Sequence, residues 1–277
     1  MQSFENYSTT ISKLSARVNE LVDTGLKNVS QKEMLKQILS FIDLTTLSGD
    51  DTTKKVTDLC KQAVSYKDKG LSNVAAVCVY PIFAKTVSEM LKQHEVNVAC
   101  VAGAFPSGQS PLPIRVSEVI DAVANGADEI DMVISRGKLI EGDSGFITKE
   151  VEAIKKACGN AHLKVILETG ELKTVDLIRQ ASELSILAGA DFIKTSTGKI
   201  DPAATPEAFL IMLDTIKEYY DRTGKMIGIK PAGGIGVPDE AIIYYLLVEG
   251  VLGEKWLTSK YFRIGASRLA DNVLNAI

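Results

Sequence analysis

The chain has 277 residues, 45% of them hydrophobic and 24% charged, with a formal net charge of −4. That length can bury a large core, and α/β barrels reach it as one domain. The absence of a basic stripe or arginine run argues against nucleic acid as a partner, and no apolar run approaches the roughly 20 residues of a membrane span.

The N-terminus lacks the short apolar core of a signal peptide, and Glu5, Glu20 and Asp23 argue against an acid-poor transit peptide. The expected compartment is the cytoplasm. Ile11, Leu14, Val18, Leu21 and Val22 follow helical spacing, and Gly25 can end that helix. A second short helix is predicted from Gln31 to Leu39. Residues 1–40 are therefore expected to form a helical extension packed on the outside or base of the main domain, residues 41–277.

From Phe41 onward the chain alternates. Strand candidates are "FIDL", "NVAAVCVY", "NVACVAG", "DEIDMVI", "LKVILE", "DFIKT", "MIGIK" and "FRIG", each followed by a helical pattern. Examples are Asp51 to Tyr66, Ile114 to Ala124, Val175 to Ala188 and Pro206 to Tyr220. Gly126 and Gly189, each within "GAD", stand where helices should end before strands. Eight βα units predict an α/β protein, a (β/α)8 TIM barrel with extra N-terminal helices. A doubly wound open sheet is the alternative that alternation alone leaves standing. No low-complexity linker divides the chain, so a single domain is expected.

Cys60, Cys78, Cys100 and Cys158 form no C-x-x-C pair and read as buried free thiols of a reducing compartment. His94 and His162 lie far apart, so no zinc site is expected.

Alternate strand residues of a barrel point inward, so charged residues within the strands are informative. Asp43, Asp131, Lys164, Glu168, Lys194 and Lys230 all fall inside or at the ends of strand candidates. Any one of them reads as a solvated strand end. Together, with both signs and on separate strands, they suggest an interior site, because buried charges must pair or shift their pKa. In the seventh strand Ile227 and Ile229 take the helix-facing side, leaving Lys230 inward. Most of these residues lie near the C-terminal strand ends, where barrel active sites are built.

A lysine is a nucleophile only when neutral. Moving its pKa from about 10.4 to about 7 takes roughly 4 to 5 kcal/mol. A second ammonium about 5 Å away supplies about 3 kcal/mol at an effective dielectric of 20, and desolvation adds to it. Lys194 and Lys230 can form such a pair, and a neutral lysine attacks a carbonyl to form a Schiff base. Asp131 can then move protons. It is expected to sit closer to Lys230 than to Lys194, since otherwise it would raise the pKa that Lys230 lowers.

"KPAGGIG" places Gly233 and Gly234 after strand seven, and "RIGASRL" places Gly265, Ala266 and Ser267 after strand eight. Glycines let backbone N–H groups approach an anion, and a helix N-terminus adds free donors. These two loops form the usual phosphate site of such a barrel, and Gly198 and Lys199 could complete it from strand six. Two other motifs fail. "TSTGKI" has Ile193 where a P-loop needs its first glycine and Ile200 where it needs Ser or Thr. "GGIGVP" does not complete a dinucleotide fingerprint.

The stretches "FIDLTTLSGDDT", "AAVCVYP", "GADEIDMVI", "LKVILETGEL", "DFIKTSTGK", "ATPE", "KPAGGI" and "FRIGAS" resemble the lysine-dependent deoxyribose-phosphate aldolase family from about Phe41 to Leu269. The first of these makes the chain more similar to the eukaryotic-type branch. The resemblance implies a lyase that reversibly cleaves 2-deoxy-D-ribose 5-phosphate to acetaldehyde and D-glyceraldehyde 3-phosphate, in cytoplasmic deoxyribonucleotide catabolism and carbohydrate degradation. By resemblance Lys194 is the Schiff-base lysine, Asp131 the proton donor and acceptor, and Lys230 the second lysine. Asp43, Thr45, Lys164 and Thr197 match substrate or proton-relay positions. Gly198, Lys199, Gly233, Gly234, Gly265 and Ser267 match phosphate-binding positions. No cofactor or metal is implied; the partners are a sugar phosphate and aldehydes, with a homo-oligomer left open.

Two positions depart from the family pattern. Gly236 stands where relatives often carry arginine, and Arg268 where they carry a small hydroxyl residue. Arg268 is therefore read as supplying the charge that Gly236 lacks. Some relatives end in a flexible tail with a tyrosine that assists proton transfer, and this chain stops at Ile277 without one. The alternative that Gly236 raises is a Schiff-base aldolase for a different or non-phosphorylated acceptor.

Overall fold

The computed structural model describes residues 4–27 and 30–277. The alternating apolar runs form eight parallel strands: β1 (Ile42–Thr45), β2 (Ala76–Val79), β3 (Asn97–Ala102), β4 (Glu129–Val133), β5 (His162–Ile166), β6 (Phe192–Lys194), β7 (Gly228–Lys230) and β8 (Ile264–Ala266). β1 to β7 pair in sequence order, each with the next, and β1 also pairs with β8, giving the order β7-β6-β5-β4-β3-β2-β1-β8. The last gap is bridged by Ile229 with Phe262 and by Ala232 with Gly265, both parallel. The sheet is thus a nearly closed (β/α)8 barrel, and the open doubly wound alternative is excluded.

The strands are shorter than the apolar runs that announced them. "NVAAVCVY" pairs only over Ala76–Val79, and "LKVILE" stops at Ile166. Gly126 and Gly189 both adopt φ of 98°, the left-handed geometry of a helix end that glycine permits. The Pro206–Thr223 helix runs three residues beyond the predicted end and is stopped by Gly224 at φ 70°.

Two packing layers follow from alternation. Val77, Val79, Val98 and Cys100 belong to the large core between strands and helices. Ala76, Cys78, Ala99 and Val101 form a separate small cluster with Leu47. On β2 and β3 the second face is therefore built of small side chains, which leaves room for long charged ones from the opposite strands. All four cysteines are free and buried.

α1 (Ile11–Gly25) lies on the Pro206–Thr223 and Pro238–Leu252 helices. Tyr7 donates to Asp214 at 2.6 Å, Arg17 pairs with the same carboxylate at 2.7 Å, and Ser15 donates to Glu207 at 2.7 Å. α2 (Gln31–Phe41) runs directly into β1, and its Met34, Leu35, Ile38 and Leu39 join the barrel core. Among the described residues, no helix is long and apolar enough to cross a membrane.

Candidate active site

Among the described residues, seven charged side chains at 0 to 5% exposure meet in one network inside the barrel. Asp43 comes from β1, Glu129 and Asp131 from β4, Lys164 from β5, Lys194 from β6 and Lys230 from β7, with Arg263 immediately before β8. Glu129 and Asp131 are two residues apart, so the strand period puts both on one face. Register places Asp131 opposite Lys164 and Lys194 opposite Lys230.

Each cation finds carboxylates. Lys164 donates to Asp131 at 3.0 Å and to Glu129. Lys230 donates to Asp131 at 2.7 Å and to Asp43. Arg263 pairs with Asp43 at 2.7 Å and with Glu129 at 2.6 Å. Lys194 has a single carboxylate partner, Asp131, at 2.8 Å.

That difference in partners moves the two lysine pKa values in opposite directions. Burial opposes charge on Lys230, but Asp131 and Asp43 outweigh it and hold its pKa above the lysine range. Burial also opposes charge on Lys164, where Asp131, Glu129 and Asp43 again win. For Lys194 burial dominates and, together with neighbouring Lys230, lowers the pKa despite Asp131. Burial favours a neutral Asp131, yet Lys164, Lys194 and Lys230 keep its carboxyl well below the usual range.

Asp131 lies closer to Lys230 than to Lys194, as expected, but only by 0.1 Å: a single oxygen, Oδ2, lies 2.7 Å from Lys230 and 2.8 Å from Lys194. The reason is register, since the two lysines are opposite one another on adjacent strands and face β4 together. Desolvation is therefore the larger cause of the Lys194 shift, and the Lys230 charge the smaller.

Above these groups opens a cavity of about 500 Å³ at the C-terminal strand ends. Lys194 is at its floor. Thr45, Thr197, Gly198, Lys199, Gly233, Gly234, Gly265 and Ser267, all singled out from sequence, line it. Asp43, Asp131, Lys164 and Lys230 do not; they lie buried beneath it.

The glycine loops are there for close approach. Gly198, Gly233 and Gly234 have φ of 75°, 83° and 79°. A Cβ on Gly233 would lie 2.6 Å from Ala203 Cβ and 2.9 Å from Gly198 Cα. Ser267 and Arg268 line the same cavity just before the Leu269–Ala276 helix. Lys199 donates its amine to the Leu47 carbonyl. Gly236 uses its own backbone for structure, donating N–H to Glu240 at 2.7 Å and accepting from Asn272 at 2.7 Å.

Glu129, Arg263 and the contact made by Glu168 carry no local sequence signal. Glu129 and Arg263 lie two residues before Asp131 and Gly265, at strand starts where a charge usually meets water. Glu168 lies past β5 in a left-handed conformation (φ 58°) and accepts hydrogen bonds from Thr197 N, at 3.1 Å, and from Thr197 Oγ1. Thr197 Oγ1 in turn accepts from Lys199 N at 3.1 Å. Glu168 thus holds the loop that carries Gly198 and Lys199, a role no local pattern announces.

Comparison with known proteins identifies the family. A family model for DeoC/LacD family aldolases matches residues 37–245. A Caenorhabditis elegans relative is 48% identical over 91% of this chain and 84% of its own. The Homo sapiens deoxyribose-phosphate aldolase is 42% identical over 90% of this chain and 82% of its own. The tetrameric deoxyribose phosphate aldolase of Aeropyrum pernix superposes with a TM-score of 0.71 at 25% identity, covering 93% of this chain and 97% of its own. The matched region contains all of β1 to β7 with their buried lysines and carboxylates. The chain belongs to the DeoC/LacD family of aldolases.

Proposed function

We propose that this aldolase cleaves 2-deoxy-D-ribose 5-phosphate reversibly to acetaldehyde and D-glyceraldehyde 3-phosphate, through a Schiff base on Lys194. The observation that carries the reading is the position of Lys194. Its amine is desolvated, poised toward neutrality by burial and Lys230, and set at the floor of a cavity that the glycine loops also line.

The chemistry follows from that placement. Neutral Lys194 attacks the substrate C1 aldehyde, and loss of water leaves an iminium. Removal of the C3 hydroxyl proton lets the C2–C3 bond break. Its electron pair passes into the iminium as an enamine, while C3 becomes the aldehyde of the departing three-carbon phosphate. Protonation at C2 and hydrolysis release acetaldehyde and return the amine. Asp131, hydrogen-bonded to both lysines, is suited to carry these protons directly or through water. Lys230 keeps its charge and so favours the neutral amine beside it. Thr45, with Asp43 and Lys164 behind it, faces the sugar hydroxyl groups, and Thr197 spans the distance to the anchor.

Phosphate would sit where Gly198, Gly233, Gly234, Gly265 and Ser267 present backbone groups, with Lys199 and Arg268 supplying positive charge. The cations lining this part of the cavity favour a phosphorylated substrate over a free sugar. A retro-aldol assay coupled to reduction of the released acetaldehyde tests the proposal. Turnover of deoxyribose 5-phosphate is expected; its absence in folded protein would overturn the substrate assignment.

A further inference from the structure

We infer that Glu129 and Arg263, at the end of the barrel opposite the cavity, are positioning residues that set the protonation state of Lys194 by fixing the charge balance of the buried network. The inference rests on the reading of Lys194 as the Schiff-base nucleophile and extends it to residues that no substrate can touch.

The interior groups are Asp43 on β1, Glu129 and Asp131 on β4, Lys164 on β5, Lys194 on β6, Lys230 on β7 and Arg263 before β8. β2 contributes Cys78, whose thiol burial pushes toward neutrality, and β3 contributes the uncharged Ala99 and Val101. Four basic groups thus face three acids. With every lysine protonated, the interior holds one uncompensated positive charge, which low-dielectric surroundings penalise heavily. With one lysine neutral, the charges cancel.

Geometry selects which lysine gives up its proton. Lys164 touches two carboxylates and has a third, Asp43, at 3.8 Å. Lys230 touches two and Arg263 two. Lys194 touches one, and shares that oxygen with Lys230. The neutral member is therefore Lys194, the group that opens on the cavity. Arg263 and Glu129 matter because they lie within the same network: Arg263 ties up Asp43 and Glu129, which would otherwise be available to hold further positive charge.

The test is the pH dependence of retro-aldol kcat/KM, whose acidic limb reports the loss of the Lys194 proton. Arg263→Met removes a positive charge and is expected to move the limb upward by roughly one pH unit. Glu129→Gln removes a negative charge and is expected to move it downward. The double variant restores the balance and is expected to return the limb to its original place, as is Arg263→Lys, which keeps the charge. Should one single variant not fold, the shift of the other and its reversal in the double variant decide. A limb displaced in the double variant or in Arg263→Lys by a full unit, or single variants that shift the same way or not at all, would overturn the inference. Reductive trapping of acetaldehyde on wild-type Lys194 is run alongside. Failure there sinks the nucleophile itself, whereas trapping with unmoved limbs sinks only the role of Glu129 and Arg263.

Discussion

Lys194 and Lys230 stand opposite each other on β6 and β7 and donate to the same oxygen of Asp131, yet their pKa values move in opposite directions. Lys230 has Asp43 as a second carboxylate and Lys194 has none. One additional partner separates a lysine held charged from one released toward neutrality.

That asymmetry predicts different outcomes for matched substitutions. Lys194→Met should lower kcat/KM by about 10⁴-fold or more, as loss of a covalent nucleophile does, without lowering Tm near pH 7. The sign follows from linkage. A lysine with a depressed folded pKa binds fewer protons folded than unfolded, so its cost to the fold is present at neutral pH and relieved only as pH rises toward 10.5. Lys230→Met leaves Asp43 and Asp131 short of a cation and should destabilise by about 3–5 kcal/mol. Thermal melts and steady-state rates of both variants make the comparison. A Lys194→Met protein as unstable as Lys230→Met would refute the asymmetry.

Gly233→Ala should damage phosphate binding specifically. The new Cβ meets Ala203 and the Gly198 backbone, and alanine is strained at φ 83°. KM for deoxyribose 5-phosphate is expected to rise at least about tenfold, the equivalent of one good hydrogen bond to a charged group. Turnover of unphosphorylated deoxyribose should change little. Equal losses on both sugars would argue that the glycine loops do not hold the phosphate.

Removing the Glu168 carboxylate should loosen the same loop from below. Glu168→Ala leaves Thr197 N and Oγ1 without their acceptor. A rise of roughly tenfold in KM for the phosphorylated substrate is expected, with a smaller change in kcat. Steady-state kinetics on both sugars check it, and a fall in kcat alone would place Glu168 in the chemistry instead.

The ion network also sets an acid limit. Asp43 and Asp131 have folded pKa values below the ordinary 3.8, after Lys230, Arg263 and Lys164 for the first, and Lys164, Lys194 and Lys230 for the second, overcome the effect of burial. The stability they contribute is fully present above pH 3.8 and is lost as pH falls through the folded values. Tm should therefore stay nearly level between about pH 5 and 8 and fall steeply below pH 4. A decline already under way at pH 6 would indicate that other groups govern acid unfolding.

The barrel was readable because its strands carry their period plainly, and because Gly126 and Gly189 stop helices where strands must begin. The interior charges at Asp131, Lys194 and Lys230 were readable as breaks in an apolar pattern. Glu129 and Arg263 were not, because a charge at the start of a strand usually meets water, and only closure of the barrel puts these two across from Lys164 and Asp43. Glu168 was visible as a charge, but its contact with Thr197 depends on a left-handed turn after β5 that glutamate rarely adopts. The near-equal approach of Asp131 to both lysines likewise depends on strand register, which sequence spacing within one strand does not carry.

The central claim, that Lys194 is the covalent nucleophile, is tested most directly by reduction with borohydride in the presence of acetaldehyde, followed by peptide mapping. An added ethyl group on Lys194, absent from the Lys194→Met variant, is the predicted result. Folded wild-type protein that carries no ethyl group on Lys194, or carries it on Lys230 instead, would contradict it.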